Sequence, residues 1–548
     1  MSTIHTFPAV SSATRPTRGR GRSRLAAAVC LPLLAGLLVG TSAPEAVAGG
    51  SAPREEVVAD GGNGQASDDE LVRGLKHEQH WLGLRDDHAA WTVQLTLPST
   101  DPVVEDAPVG SLATAREVAR RVEAAGYTPR VERVVTPETA DSGGDLGYRV
   151  RVGVEADEES AEELSARLGE AGLEGSVWFT GWDGPAETGG PFGQSRVNVL
   201  TLDPQRFQGT VRAGHGADLK HTETVSELGR DAVAAVNGGF FVFGPEHGAP
   251  GDPAGVSVRD GRIISESVGE RPALVIDRRD GRARVERLSW KGSLESRGGE
   301  TALDGLNRHP GKVRNCGGTG DAPTDAPLHD VTCTDTDELV AFTGDYGRST
   351  PTGEGIEAVY DRSGRLVGLH ETRGVELASG QTSVQATGAA EAKLRALVKQ
   401  GGSVRLEQTL LQESGRPLRL TPQTQVINGG PELMRDGEVT VTPARDGMVR
   451  PASPGAEYGW VHQRNPRTIA GVDAEGRLIV ATVDGRSEQS WGMSVPESAQ
   501  LAERLGMVDA VNLDGGGSTA MSVGGALVNE PSGDEERAVG DALLFDER

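Results

Sequence analysis

The stretch Val511-Asn512-Leu513-Asp514-Gly515-Gly516-Gly517-Ser518-Thr519-Ala520-Met521 decides how this chain is read. An apolar run ends in a carboxylate, and three glycines and two hydroxyl side chains follow, so the backbone turns and offers N–H donors beside an acid. Three earlier stretches use the same device of a strand that ends in a small-residue turn. Val236-Asn237-Gly238-Gly239-Phe240-Phe241 leads an amide into two glycines and two rings, of which one is expected in the core and one in a cleft. Val426-Ile427-Asn428-Gly429-Gly430-Pro431 repeats the amide and the glycines. Asn465-Pro466-Arg467-Thr468 sets a guanidinium fork at a strand start, where it is expected to clamp a phosphate bidentately.

Outward from these turns, residues 196–548 read as alternating strands and hairpins with two helices, 389–399 and 496–505. Ser494 and Glu497 form a capping box for the second, and Gly506 closes it. The expected fold is α+β, a large mixed-sheet domain. Ahead of it, residues 89–183 read as strand, helix and strand twice over, a ferredoxin-like arrangement. Its strands begin at Trp91, Pro129, Tyr148 and Gly175, and its helices cover 114–125 and 158–171. Residues 184–195 read as a Gly/Pro linker that makes the two domains separable, and residues 49–88, polar, acidic and without period, as a disordered linker.

Residues 1–48 carry five Arg, the apolar run from Leu25 to Val39 and Ala46-Val47-Ala48, the pattern of a Sec signal peptide. Its apolar run is short for a retained anchor, so a secreted or wall-associated protein with no integral membrane segment after cleavage is expected. The net charge of −25 over 548 residues becomes −29 once five Arg and one Glu leave with the leader. Such a surface repels phosphate backbones, which argues against nucleic acid and leaves anion binding to a local basic site. Cys316 and Cys333, the two cysteines outside the leader, flank a loop rich in Gly, Asp and Pro and are expected to form a disulfide. No H-E-x-x-H or EF-hand spacing occurs. The metal content is unknown on these grounds: no cofactor is assigned, and a structural calcium stays open.

Taken in order, the four turns resemble the phosphodiester glycosidase family. The likeness covers about residues 197–546 and includes Thr343 to Gly347, Asp484-Gly485-Arg486, Ser490 to Met493, Asn529-Glu530-Pro531 and Glu536-Arg537. The Cys316–Cys333 loop looks like an insertion that does not touch the turns. The resemblance implies hydrolysis of the bond between an anomeric carbon and a phosphodiester, with a carbohydrate phosphodiester as substrate. Asp514 or Asp484 would serve as base or nucleophile, Arg467 as phosphate clamp and Asn237 as a further catalytic group. Gly238, Gly239, Phe240, Asn428, Gly429, Gly430, Asn512, Gly515, Gly516, Gly517, Ser518 and Thr519 would bind substrate. The small module is similar to a SPOR domain, which implies peptidoglycan glycan strands as a partner; the alternative is a spacer packed on the next domain. For the whole chain, the alternative is a non-catalytic wall-glycan-binding protein.

Overall fold

The computed structural model describes residues 67–99, 101, 106–316 and 328–547. The expected leader and residues 49–66 of the expected linker lie outside these. Residues 67–82 do not. Ser67–Val72 and Leu75–Leu82 form a hairpin at the edge of an eight-stranded antiparallel sheet. The linker reading of this part is corrected: a mostly polar edge strand needs only its paired backbone and a few inward residues such as Leu75, so its periodicity is weak.

The eight-stranded sheet continues through Ser195–Leu202, Leu478–Val483, Arg467–Asp473, Met507–Asn512, Glu432–Arg435 and Glu438–Val439. Its middle strands are buried on both faces. On one side Ile469, Ile479, Ala481 and Val483 pack with Val495, Ala499 and Ala502 of the helix Val495–Arg504. On the other, Leu200, Leu202, Ala470 and Val480 meet Val236, Leu274, Ile427 and Phe545, which belong to a five-stranded and a seven-stranded sheet. A second five-stranded sheet, with the helix Ala390–Gln400 against it, completes the large domain.

The small module has two helices, Leu112–Ala124 and Glu158–Glu170, over an antiparallel sheet of Pro129–Thr136, Gly144–Glu155, Trp91–Leu95 and Gly175–Phe179 in that spatial order. It is not a preceding bead on a string. The strand before it and the strand after it are hydrogen-bonded neighbours, with Leu82 opposite Ser195, so the module is inserted into the large domain between two paired strands. Gly83 closes the neck: its φ is +80°, and a Cβ there would lie 2.3 Å from the Phe192 carbonyl oxygen.

The expected linker at 184–195 is corrected with it. Phe192 is buried, and Asp183 joins the module to the large domain. Its carboxylate accepts from Arg149 at 2.9 Å, from Arg151 at 2.7 Å and from the Tyr458 hydroxyl at 2.9 Å. Those two guanidiniums hold Asp183 below the usual carboxylate range despite its burial. Beside this, Trp91, Phe179, Trp182 and Trp491 pack as one aromatic cluster, and the Trp91 indole donates to Glu488 at 2.6 Å. Thr92, Gln94 and Arg151, on the face of the small sheet away from its helices, are buried.

Candidate active site

The antiparallel register brings the four turns to one rim. Arg467 stands opposite Val483 and Ile469 opposite Asn512, so one strand start and two strand ends meet there. The end of Ala234–Asn237 joins them, because the Asn237 amide donates to the Asp514 carbonyl at 2.8 Å while its oxygen accepts from the Thr468 hydroxyl at 2.7 Å. Asn237 is fully buried and ties three turns together; it positions the rim and does not line the cleft.

The cleft that opens there has a volume of about 480 Å³. Asp514, Gly515, Gly516, Gly517, Ser518, Arg467 and Phe240 line it, as does Phe241. Asp514 is half-buried. Burial pushes its carboxyl up to about 6, against the pull of hydrogen bonds from Ser518 and from the Gly515 N–H at 2.9 Å. The expectation that this turn offers several free N–H donors is corrected. Gly515 is spent on Asp514, Gly516 on the Pro466 carbonyl and Ser518 on the Gly515 carbonyl, which leaves the Gly517 N–H without a protein acceptor among the described residues. The glycines are needed for another reason: a Cβ on Gly517 would lie 2.4 Å from the Arg537 guanidinium carbon, and one on Gly516 3.3 Å from the Arg486 guanidinium. Bare backbone lets two arginines lie close over the turn.

Arg467 is buried under the Trp460 ring, 5.4 Å from its centroid. Its Nε donates to the Met493 carbonyl at 2.8 Å and one Nη to the Trp460 carbonyl at 2.8 Å. One nitrogen therefore remains for a ligand, and the expected two-pronged clamp is corrected to a single contact. Burial and the neighbouring Arg486 push this guanidinium down to about 9, which still leaves it cationic at neutral pH. Arg486 has a left-handed backbone, φ +61°, and donates twice to the Asn465 side-chain oxygen, at 3.1 and 3.0 Å. Arg537 lies over the Phe243 ring at 5.1 Å. Arg467, Arg486 and Arg537 form no salt bridge among the described residues, although the Glu497 charge reaches Arg467 and Asp514 feels Arg537, in a chain with 25 more negative than positive side chains. These three guanidiniums beside Asp514, with Glu246 and Asp330 also on the lining, make a receptor for an anion.

The rest of the wall was not read from sequence. The Cys316–Cys333 loop, expected to leave the turns alone, supplies His329 and Asp330, and Arg314 and Asn315 just ahead of it also line the cleft. The disulfide is present, with Cα atoms 5.8 Å apart, and the short strands Val313–Arg314 and Thr332–Cys333 pair beside it. His329 packs between Phe240 and Trp460, edge-on to the first at 4.6 Å and tilted against the second at 4.9 Å. Phe240 and Phe241 both line the cleft while joining two different cores, so the expected division between core and cleft is replaced by both rings serving both.

Several expected binders lie behind the wall. Asn428 accepts from the Phe240 N–H at 2.9 Å, Gly239 has no room for a Cβ against the Asn428 carbonyl at 2.5 Å, and Gly238 is as tight against Asp541. Asn512 donates to the Gly430 carbonyl at 3.1 Å, Gly429 donates to the Pro272 carbonyl, and Thr519 is buried. Asp484 is 2% exposed and outside the cleft lining; its Oδ2 accepts from the Glu530 N–H at 3.1 Å, and burial pushes it up to about 6. Asp541 went unnoticed in the sequence. It accepts from the Gly239 N–H at 2.9 Å, and burial, with Asp514 nearby, raises it to about 7. Among the described residues no group of three His, Cys, Asp or Glu side chains is placed to hold a metal ion.

A strand-end acid facing unpaired arginines fits a phosphodiester glycosidase, and residues 356–546 match the family described as Phosphodiester glycosidase. Residues 104–177 match the SPOR domain. Residues 356–546 thus resemble a phosphodiester glycosidase domain, and the SPOR match falls on the module inserted in the large sheet. Among curated relatives, the mouse N-acetylglucosamine-1-phosphodiester alpha-N-acetylglucosaminidase is 32% identical over 114 residues, which is 21% of this chain and 22% of that enzyme. The SPbeta prophage-derived uncharacterized protein YomE of Bacillus subtilis is 40% identical over 15% of this chain and 13% of its own length. The matched stretch thus spans about a fifth or less of these relatives. Among solved structures, a putative exported protein from Burkholderia pseudomallei is 32% identical, with a TM-score of 0.77 over 88% of this chain and 96% of that one.

Proposed function

We propose that the protein is a secreted hydrolase that cleaves the bond between a sugar's anomeric carbon and a phosphodiester oxygen, on cell-wall or extracellular glycans. The observation that carries this reading is Asp514 in one cleft with Arg467, Arg486 and Arg537, three cations that form no salt bridge among the described residues. Cleavage passes through an oxocarbenium-like state, and the phosphate leaves as a monoester with little need of a proton. The arginines and the free Gly517 N–H hold the charge that develops on it. Asp514 takes the proton of the attacking water or adds to the anomeric carbon itself; Asp484, sealed behind the rim, is left with a bracing role. Export is supported by the leader-like first 48 residues and by the similarity to a protein whose name reads putative exported protein.

For the small module we read its strand order as the ferredoxin-like arrangement. Peptidoglycan tethering is supported by the SPOR match. With Thr92, Gln94 and Arg151 buried, a glycan strand would engage its edges or helices. The test is a screen of sugar-1-phosphodiesters for free sugar released by the full chain, run beside a wall-pelleting assay. Release confirms the hydrolase. Pelleting without release by any substrate overturns it in favour of a non-catalytic glycan binder.

A further inference from the structure

A second cavity, of about 390 Å³, adjoins the cleft and shares His247, Ala254, Arg314 and Asn315 with it as common wall. Its chemistry is opposite. Five acidic side chains line it against three basic ones, and among the described residues it contains no Phe, Tyr or Trp, whereas the cleft has four such rings. Most of its acids are already satisfied. Glu266 and Glu338 both accept from Arg308, at 2.6 and 2.9 Å, and Asp304 accepts from the Leu339 N–H at 2.7 Å. Asp252 is the exception: it is 3% exposed, it lines the cavity, and its Oδ1 is buried with no hydrogen-bond partner among the described residues.

A buried carboxyl oxygen without a partner is costly, and the costliest feature of a pocket is satisfied best by its ligand. Excess acid repels a second phosphate, and the lack of rings leaves nothing for a base to stack on. We propose that this cavity is the subsite for the alcohol half of the phosphodiester, and that it takes an alcohol bearing a protonated amine, with the ammonium group paired to Asp252. The substrate is then doubly marked, its phosphate held by the arginines of the cleft and its cation by the acid next door. This rests on the hydrolase reading for the phosphodiester and not on turnover.

Calorimetry with the full chain tests it, using 6-aminohexyl phosphate against n-hexyl phosphate and 2-aminoethyl phosphate against ethyl phosphate, with sorbitol 6-phosphate as the polyol control. An amine of one length or the other is expected to improve Kd by ~10-fold or more over its alkyl partner. Asp252→Leu should abolish that preference and leave the alkyl phosphates unchanged. Equal Kd values for amine and alkyl ligands, tighter binding of the polyol than of either amine, or a preference that survives Asp252→Leu overturns the proposal. If the Leu variant does not fold, Asp252→Asn, which keeps the shape and removes the charge, makes the same comparison. Sugar release that persists without any amine preference removes the subsite and leaves the hydrolase. An amine preference without sugar release from any substrate does the reverse.

Discussion

Asp514 and Asp484 follow two strands that flank Arg467–Asp473 on either side, each precedes a glycine, and burial pushes both up to about 6. One lines a cleft among three unpaired arginines, and the other turns inward to accept from the Glu530 N–H and sits 3.8 Å from Arg196. A raised carboxyl therefore marks burial here, not chemistry. What separates the two is which way the turn faces after the strand ends, and that is set by three glycines in one case and by the Glu530 contact in the other.

The largest effect that tests this comparison is on turnover. Asp514→Asn keeps the volume and removes the acid, and sugar release should fall by roughly 1,000-fold or more. With the wild type, kcat/KM should fall tenfold per pH unit below about 6, the value at which burial sets Asp514. If Asp484→Asn matches the loss, or if the Asp514→Asn variant keeps activity within a few-fold, the distinction between the two acids is broken.

A smaller effect belongs to the arginines over the glycine turn. Arg486→Ala and Arg537→Ala should each lower kcat/KM by ~10–100-fold on a phosphodiester and clearly less on a sugar with an uncharged aryl leaving group. Equal losses on the two substrates would place these side chains in the scaffold instead. Gly517→Ala should act like Arg537→Ala, since its methyl group takes the place of that guanidinium.

The smallest effect is on stability. Asp484 binds its proton more tightly folded than unfolded, so the stability that its protonated form confers is complete below the unfolded value and lost as pH rises through about 6. Asp484→Asn mimics the protonated form and still offers an oxygen to Glu530. It should raise stability at pH 7 by ~1–3 kcal/mol, with the gain vanishing below about pH 4, and change turnover by no more than a few-fold. Denaturant melts at both pH values measure this. A loss of stability at pH 7 would mean that the charge of Asp484 serves Arg196.

These cases also mark what the sequence made legible. Strand-end turns such as 511–521 and 236–241 announce themselves, because apolar runs and glycines are local signals, and the register did gather them at one rim. Asn237, Asn428 and Asn512 are at the rim for bracing, since a buried amide and a ligand-binding amide look the same in one dimension. Arg486 and Arg537 entered only through the family likeness and were given no role, because arginine is common throughout this chain, and Trp460 and His329 went unremarked because their rings reach the cleft through tertiary packing alone. The insertion of the small module was equally invisible, because pairing of Leu75–Leu82 with Ser195–Leu202 is a long-range fact.

That pairing sets the order in which the molecule can be assembled. A chain that emerges from its N-terminus first delivers the hairpin Ser67–Leu82, then the entire inserted module, and only afterwards the strand that gives the hairpin a neighbour. The next strand inward, Leu478–Val483, comes near the end of the chain. The module has local contacts and its own core of Val93, Val118, Val150 and Leu168, so it is equipped to fold while the large sheet is still missing most of its strands. When Ser195–Leu202 arrives, it finds Leu82 already delivered by a finished module, and the neck at Gly83 shortens the search for that first pairing.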